Sequence, residues 1–408
     1  MITYGRSGAS ASRGEVQYPS SSENQIPKHQ YLTDFQTDEA LSFIEKYKDE
    51  RFFLFLSYNA PHVPFIIERP EDSVFASNLD FPCDKEPELE LKPKWVQVIA
   101  GIVSSNRDRH GECGEESFYG QVALLQSVDR GLQKIFDKLK SYNLTRNTVV
   151  FFASDNGIIN GSKILPADKG MPYEDAIRVP MIAFMPNEQA STYDEHVAVN
   201  LDLGATIFDL AGVPAPTEGQ SILDIVNRRQ WKRNRLLIEN YGYLDYMRRN
   251  HDLSLPPVIW SGYRTSKWKY VEYTTGEIEL YNLEVDPSET MNLAEGTTYS
   301  STVNEFHDAL EKEKGLAITT SSLPTAVVDE FYEYQLKAWG GAKPYQWSTT
   351  STLPAGLTLD TQTGIVSGVP THPESFDVRF KVTDSGRAKH SLKPDHFSWD
   401  FKLDVAPE

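Results

Sequence analysis

The apolar run at residues 149–153 (VVFFA) constrains the fold of this chain more than any other stretch. Its β-branched and aromatic residues are typical of a strand buried on both faces, as in a parallel sheet covered by helices. Asp155, Asn156 and Gly157 follow the run almost at once. Because ligands of open α/β sheets bind beyond the carboxyl ends of the strands, we expect a site at this position. Carboxylate and carboxamide oxygens are hard ligands that suit Ca²⁺ or Mg²⁺.

A basic residue lies in the loop that continues from this site. Lys169 precedes Gly170, and Tyr173 and Glu174 follow them. A lysine here would bring one positive charge to the metal site, where an anionic group would bind. Since the chain carries a net charge of −18, any anionic substrate depends on such local cations. The sequence therefore predicts an anion-binding role for Lys169.

A second apolar run, at residues 52–56, is predicted to form another buried strand. His62 lies in the loop after it, between Pro61 and Pro64, which restrict the conformation of that loop. A single histidine is more often structural or solvent-exposed than functional. This one follows a buried strand, at the same sheet edge that is predicted for Asp155. Histidine as a residue type is suited to proton transfer near neutral pH.

Helical patterns surround the two predicted strands. The apolar positions of residues 37–47 have helical spacing, with Thr37 as the predicted N-cap. Residues 119–142 carry one apolar stripe, and residues 200–212 have the pattern of a helix that ends at Gly212. Alternating helices and buried strands predict an α/β fold with a mostly parallel sheet flanked by helices.

The ordered set of motifs in this region resembles the sulfatase family. The shared pieces are an APHVP loop at 60–64, Asp155-Asn156-Gly157, Lys169-Gly170, Tyr173-Glu174 and an IRVP run at 177–180. Each piece alone has low specificity, whereas the ordered set is highly specific. The resemblance implies an alkaline-phosphatase-like fold, here incomplete, and the hydrolysis of sulfuric esters. The motif sequences are most similar to those of glucosamine-6-sulfatase-type members, which implies a sulfated carbohydrate as the substrate.

The same resemblance assigns roles to the site residues. The family binds Ca²⁺ through an aspartate and an asparagine, which correspond to Asp155 and Asn156. The family's lysine holds the sulfate oxygens and corresponds to Lys169. Its histidine contacts the sulfate and helps proton transfer at the leaving oxygen, and it corresponds to His62. The resemblance thus implies two metal ligands and two catalytic, substrate-binding residues.

The family's nucleophile is not found in this sequence. Sulfatases use a formylglycine made from the Cys or Ser of a C/S-x-P-x-R motif, and neither Cys83 nor Cys113 lies in one. Paired aspartates, which complete the family's Ca²⁺ shell, are also missing from the sequence. Because the resemblance covers roughly residues 30–296, we expect a chain that lacks the N-terminal part of a sulfatase domain and is inactive alone. No signal peptide follows Met1, yet the full-length protein is expected to be secreted, periplasmic or at the cell surface.

The composition changes in the C-terminal part of the chain. Short runs with period-two alternation, such as residues 376–382, are separated by turn residues and predict a β-sandwich. They resemble the immunoglobulin-like modules of bacterial surface and secreted proteins. The predicted organisation is an irregular segment at 1–30, a sulfatase-like α/β domain at 31–316 with a small antiparallel sheet at about 235–300, a linker at 317–334 and an immunoglobulin-like sandwich at 335–408.

Charge and hydropathy narrow the classes of partner. The acidic balance disfavours nucleic acid and anionic membranes, and no apolar run is long enough to predict a membrane span. Two alternatives to a sulfatase stay open. One is a phosphoester hydrolase of the same superfamily, and the other is a non-catalytic secreted protein that binds carbohydrate on a degenerate sulfatase scaffold. The presence of His62, Asp155, Asn156 and Lys169 weighs against the second.

Overall fold

The fold is known from a computed structural model of the chain. It describes residues 31–80, 89–105, 115–160, 169–193, 196–214, 218–227, 231–240, 259–320, 322–385 and 396–407. The irregular segment predicted at residues 1–30 lies outside this described part.

Helices dominate the first half of the described chain. Their bounds are α1 Leu32–Tyr47, α2 Pro70–Ser77, α3 Lys94–Ser105, α4 Glu115–Ser141, α5 Glu174–Ile177, α6 Asn200–Leu210 and α7 Leu223–Val226. Helices α1 and α4 pack together through Ala40, Ile44, Ile135 and Leu139. The predicted N-cap Thr37 is instead a buried residue inside α1, where its hydroxyl donates to the Thr33 carbonyl at 2.8 Å. Across the described residues, no helix combines the length and apolarity needed to span a bilayer.

The two strands of this half pair antiparallel, and this corrects the predicted parallel sheet. β1 (Val150–Ala153) pairs with β2 (Met181–Phe184), and β1 is half-buried rather than buried on both faces. Residues 52–56 form no strand, although Phe52, Leu54 and Leu56 pack on the α1–α4 core. An apolar run indicates that its residues are buried, and here helices alone can bury them. The run does not indicate whether a partner strand is present or in which direction it lies.

Alternate residues of the run at 52–56 differ in exposure to solvent. Phe53 and Phe55, which alternate with the packed residues, are 58% and 55% exposed. Ile182 of β2 is likewise 61% exposed. The α/β half therefore presents large apolar side chains to solvent beside its small sheet.

The predicted antiparallel sheet of the central part is confirmed. Four strands pair in chain order: β3 Arg235–Asn240, β4 Trp260–Thr265, β5 Trp268–Tyr273 and β6 Ile278–Asn282. Helix α8 (Ser300–Leu310) packs on this sheet through Leu310, beside the buried Tyr263 and Tyr270. Both faces of the sheet are covered: Tyr263, Tyr270 and Leu280 pack with α8, whereas Trp260, Val271 and Tyr281 lie in a second core with residues of α3 and α5.

The C-terminal part folds as two sheets that share one core. One has the order β11-β14-β15-β8 and the other β12-β13-β9, with β7 pairing β10 beside them. The bounds are β7 Ala317–Ile318, β8 Ala326–Val327, β9 Tyr332–Gln335, β10 Ala338–Trp339, β11 Gln346–Thr349, β12 Leu357–Leu359, β13 Ile365–Gly368, β14 Ser375–Thr383 and β15 His396–Ala406. Val366 of one sheet and Val378 and Phe380 of the other are fully buried together. This arrangement is consistent with an immunoglobulin-like sandwich.

The stretch 317–334, predicted as a linker, contributes to this sandwich. Strands β7 and β8 both lie in it, and they pair with β10 and β15 respectively. Ile318, Leu323 and Ala326 are buried in the shared core. Strands of two residues are too short to show period-two alternation, so the sequence pattern does not reveal them.

Candidate functional site

The loop after β1 fixes Asp155 and Asn156 through local hydrogen bonds. The Asn156 backbone N–H donates to Asp155 Oδ1 at 2.9 Å, and the Ser154 hydroxyl donates to the Asn156 carbonyl at 2.9 Å. Asn156 Nδ2 donates to the Gly157 carbonyl at 2.8 Å, which leaves Asn156 Oδ1 as an acceptor. Such aspartate–backbone bonds are typical of a tight turn. Asp155 is exposed and Asn156 is half-buried, so the site opens to solvent.

Gly157 allows this loop to lie directly against α5. Its N–H donates to the Ala176 carbonyl at 2.9 Å. A Cβ at this position would lie 2.1 Å from the Asp175 carbonyl oxygen, which no side chain can occupy. The Asp-Asn-Gly sequence is therefore required sterically at its third position, because the backbone of α5 fills the space of a side chain.

Lys169 is brought to the same place. Its Nζ donates to Asn156 Oδ1 at 3.3 Å, across 13 residues of sequence. The structure thus groups the predicted Asp155, Asn156 and Lys169 at the carboxyl end of β1. A half-buried ammonium group beside an amide oxygen and an exposed carboxylate is a place where an anionic group can bind with its charge partly compensated.

Two residues that the sequence reasoning missed hold the Lys169 loop. The Gly170 carbonyl accepts hydrogen bonds from Asn240 Nδ2 at 2.8 Å and from Trp260 Nε1 at 3.0 Å. Gly170 itself has φ +87°, a conformation that favours glycine. Because Asn240 and Trp260 belong to β3 and β4, no local pattern connects them with Lys169. Their hydrogen bonds make them positioning residues for the lysine.

Asn200 is a third residue that only the structure reveals. It begins α6, and its Nδ2 donates to the carbonyls of Ser154 at 3.0 Å and Asp155 at 3.3 Å. These bonds fix the backbone at the end of β1. The site is therefore held by side chains from the sheet and from α6 as well as by its own turn.

A charged network lies behind the site and joins α5 to the sheet. Glu174 accepts two hydrogen bonds from Arg264, each at 3.0 Å, and its carboxylate lies 2.9 Å from Lys269 Nζ. Lys269 is fully buried and also contacts Glu289 at 2.5 Å. Burial raises the pKa of the Glu174 carboxyl, but Lys269 and Arg264 outweigh burial and lower that pKa to about 2.

A buried carboxylate organises the other side of this junction. The hydroxyls of Tyr173, Tyr273 and Tyr281 all donate to Glu279, and Lys92 Nζ lies 3.6 Å from the same carboxylate. Burial, and then the charge of Glu279, raise the pKa of each of these tyrosine hydroxyls well above the ordinary value. These groups therefore remain neutral hydrogen-bond donors, and we assign them a structural role.

The structure does not show His62 bonded to this group. It lies in an exposed loop, where its Nδ1 lies 2.8 Å from the Val63 carbonyl oxygen and its backbone N–H donates to the Asn59 carbonyl. Among the described residues, its side chain forms no hydrogen bond or ion pair with Asp155, Asn156 or Lys169. Its predicted catalytic role stays a prediction.

The described residues do not by themselves fit a Ca²⁺ ion at the β1 site. Calcium takes six to eight oxygen ligands, and Asp155 and Asn156 supply only some of them. A different group, Glu272, His307 and Glu311, has the geometry to hold a metal ion. Lys314 Nζ already contacts both glutamates of that group, so a resident positive charge offsets one of the two negative charges.

Comparisons with protein families agree with these motifs. The family model described as Sulfatase matches residues 7–213, and the one described as N-sulphoglucosamine sulphohydrolase, C-terminal, matches residues 166–315. A model described as "Putative Ig domain" matches residues 315–394, which include the strands β7 and β8 of the predicted linker.

Individual proteins are similar over half to two thirds of the chain. N-acetylglucosamine-6-sulfatase of Bos taurus is 28% identical over 294 residues, which cover 65% of this chain and 52% of that protein. The extracellular sulfatase SULF-1 homolog of Drosophila melanogaster is 28% identical over 221 residues, which cover 52% of this chain and 19% of that protein. The chain thus spans about half the length of the N-acetylglucosamine-6-sulfatase that it matches.

The fold also has solved counterparts. The structure of BT4656 in complex with its substrate D-glucosamine-2-N,6-O-disulfate superimposes with a TM-score of 0.54 at 20% sequence identity, covering 69% of each chain. At this identity the likeness concerns the fold. It supports an α/β architecture for the matched part of the chain.

Proposed function

The chain belongs to the sulfatase family, and on that premise we propose that it forms part of a sulfuric ester hydrolase that acts on sulfated carbohydrate. The observation that carries the proposal is the hydrogen bond between Lys169 Nζ and Asn156 Oδ1, next to Asp155 at the end of β1. In a chain with a net charge of −18, this half-buried ammonium group offers a local positive charge for an ester sulfate.

In this proposal, Lys169 binds the sulfate oxygens and Asn156 orients the lysine. The amide oxygen of Asn156 accepts from the ammonium group, so the amide restrains Lys169 without neutralising its charge. Asn240 and Trp260 hold the backbone of the same loop through the Gly170 carbonyl. Pre-organisation of this kind lowers the cost of ordering a flexible lysine when the ligand binds.

We propose Asp155 and Asn156 as two ligands of a Ca²⁺ ion whose further ligands come from residues beyond this pair. His62 is the proposed proton donor to the leaving oxygen, as the family resemblance implies. The sequence contains no C/S-x-P-x-R motif that would supply a formylglycine. The chain is therefore expected to bind a sulfate ester and not to hydrolyse it.

The names of the relatives support the proposed substrate class and location. N-acetylglucosamine-6-sulfatase is named for an amino-sugar sulfate, and the substrate in the BT4656 complex is a sulfated glucosamine. We propose a sulfated amino sugar or its polymer as the ligand of this chain. The extracellular naming of a Drosophila relative and the immunoglobulin-like module favour a protein that acts outside the cytoplasm.

The test is the binding of a sulfate monoester to the purified chain. N-acetylglucosamine 6-sulfate and the unsulfated sugar are titrated by calorimetry into the wild-type chain and into Lys169→Met. Loss of one charge-assisted contact is expected to weaken binding of the sulfated sugar by about tenfold or more. Lys134→Met is the matched control, because Lys134 is 47% exposed on α4. Equal affinity of all three proteins for the sulfate ester would refute the proposal.

A further inference from the structure

A groove of about 590 Å³ lies on the immunoglobulin-like sandwich, far in sequence from the β1 site. Its lining includes Gln335, Lys343, Tyr345, Trp347, Gln362 and Thr363. These residues come from β9, from the stretch before β11, from β11 itself and from the turn between β12 and β13. The volume falls in the range of about 300–1,000 Å³ that is typical of small-molecule sites.

The aromatic side of the groove is held in place. Trp347 is only 3% exposed, and its indole lies against Gly364, where an added Cβ would be 2.6 Å from Nε1. The Tyr345 hydroxyl donates to the Gly340 carbonyl at 2.6 Å, which fixes the ring while leaving it half-buried. Fixed aromatic rings lose little conformational entropy when a ligand packs on them.

The rim of the groove is polar. Gln335 Nε2 donates to the carbonyls of Thr363 at 2.6 Å and Leu336 at 2.8 Å, so its Oε1 is oriented as an acceptor. The side chains of Gln362 and Thr363 are exposed beside it. An amide and a hydroxyl at the edge of an aromatic surface match the hydroxyl groups of a sugar, which donate and accept.

One cation completes the groove. Lys343 is exposed, and its Nζ lies 6.0 Å from the centroid of the Tyr345 ring. Within the described residues, no carboxylate lies within 4.0 Å of this ammonium group. A positive charge above an aromatic ring, in an acidic protein, suits a ligand that has both an apolar face and a negative group.

We propose that this groove is a carbohydrate-binding site that takes a sulfated glycan, with a sugar ring on Tyr345 and a sulfate at Lys343. A sugar ring offers an apolar C–H face to the aromatic ring and hydroxyls to Gln335 and Gln362. The choice of sulfate as the anion rests on the proposed function above, whereas the sugar-binding surface does not depend on it. The site would keep the chain on a polymer while the β1 site engages one sulfated residue.

The experiment measures binding of the full chain to a sulfated, glucosamine-containing polysaccharide and to the same polymer after chemical desulfation, by affinity electrophoresis. Tyr345→Ala should weaken binding to both polymers by about tenfold, as expected for an aromatic anchor. Lys343→Met should weaken binding to the sulfated polymer only, by about threefold, and reduce its salt dependence. Gln362→Ala is a second test in case Tyr345→Ala proves unstable. This change is exposed and leaves the core untouched, and it should weaken binding to both polymers.

Matched controls come from the same sandwich. Phe331→Ala removes an aromatic ring that is 70% exposed outside the groove, and Lys402→Met removes a lysine that is 65% exposed. Both should bind like the wild type. Retention of wild-type affinity by Tyr345→Ala and Gln362→Ala, or binding of a proline-rich peptide in place of either polymer, would overturn the proposal. Equal wild-type affinity for both polymers would overturn the role of Lys343.

The two proposals fail separately. Lys169→Met should leave binding to the desulfated polymer unchanged. The part of the affinity for N-acetylglucosamine 6-sulfate that Lys169→Met removes should be retained in Tyr345→Ala. If Lys169→Met binds N-acetylglucosamine 6-sulfate with wild-type affinity, the proposed function is refuted. The measurements on Tyr345→Ala and Gln362→Ala would still decide whether the groove binds sugar.

Discussion

Replacement of Glu174 by glutamine should destabilise the junction between α5 and the antiparallel sheet in a pH-dependent way. The carboxylate is only 11% exposed and receives two hydrogen bonds from Arg264 and a contact from Lys269 at 2.9 Å. Glutamine keeps the shape of the side chain and removes the charge. The positive charges of Lys269 and Arg264 then lose one of their partners in a buried place, which is costly.

The magnitude follows from the pKa of Glu174. The pKa is lowered from an ordinary 4.5 to about 2, and a difference of one in pKa corresponds to about 1.4 kcal/mol. The carboxylate therefore contributes about 3 kcal/mol of stability at pH 7. The folded pKa lies below the unfolded one, so this stability is present above pH 4.5 and is lost as the pH falls towards 2. At pH 3 the difference between wild type and variant should shrink to about 1.5 kcal/mol.

The assay is urea unfolding followed by tryptophan fluorescence at pH 7 and at pH 3. Asp400→Asn is the control, because Asp400 pairs with Arg379 at 2.6 Å but both side chains are more than half exposed. Its unfolding midpoint should stay near that of the wild type at both pH values. A Glu174→Gln variant as stable as the wild type at pH 7, or a loss that is the same at both pH values, would refute the reasoning.

Three further predictions concern the site and the surface. Trp260→Phe removes the indole donor to Gly170, so it should cost about 1 kcal/mol of stability and weaken binding of N-acetylglucosamine 6-sulfate. Trp268→Phe, a change in the cluster of Leu280 and Leu310, should leave the calorimetric affinity unchanged. Gly157→Ala places a Cβ 2.1 Å from the Asp175 carbonyl and should lower the free energy of unfolding by about 1–3 kcal/mol; a thermal midpoint equal to that of the wild type would contradict the close approach. Phe53→Ser removes a side chain that is 58% exposed and should reduce the fluorescence of a bound hydrophobic dye without lowering the urea midpoint, and a marked loss of stability would show that Phe53 is packed in solution.

Local patterns predicted the positions of several helices. Helix α6 begins at Asn200, and Gly212 follows its end with φ +68°, as its position in the pattern indicated. Asn156 and Lys169 meet, in agreement with the expectation that the lysine returns to the end of β1. These features depend on residue type and short spacing, which a single sequence carries.

The rest depends on contacts between distant residues. Asn240 and Trp260 bond to Gly170 across 70 and 90 residues, so no motif links them to the site. The antiparallel pairing of β1 with β2 was missed because an apolar run does not specify the direction of its partner. Thr37 has the side chain of an N-cap but lies inside α1, which begins at Leu32, because its hydroxyl bonds to a carbonyl in the preceding turn.

The most direct measurement is a crystal structure of the chain soaked with N-acetylglucosamine 6-sulfate. The account predicts that the ester sulfate lies at the end of β1, with an oxygen about 2.7–3.2 Å from Lys169 Nζ and within reach of Asn156. A sulfate bound elsewhere on the molecule, with Lys169 and Asn156 free of ligand, would contradict it.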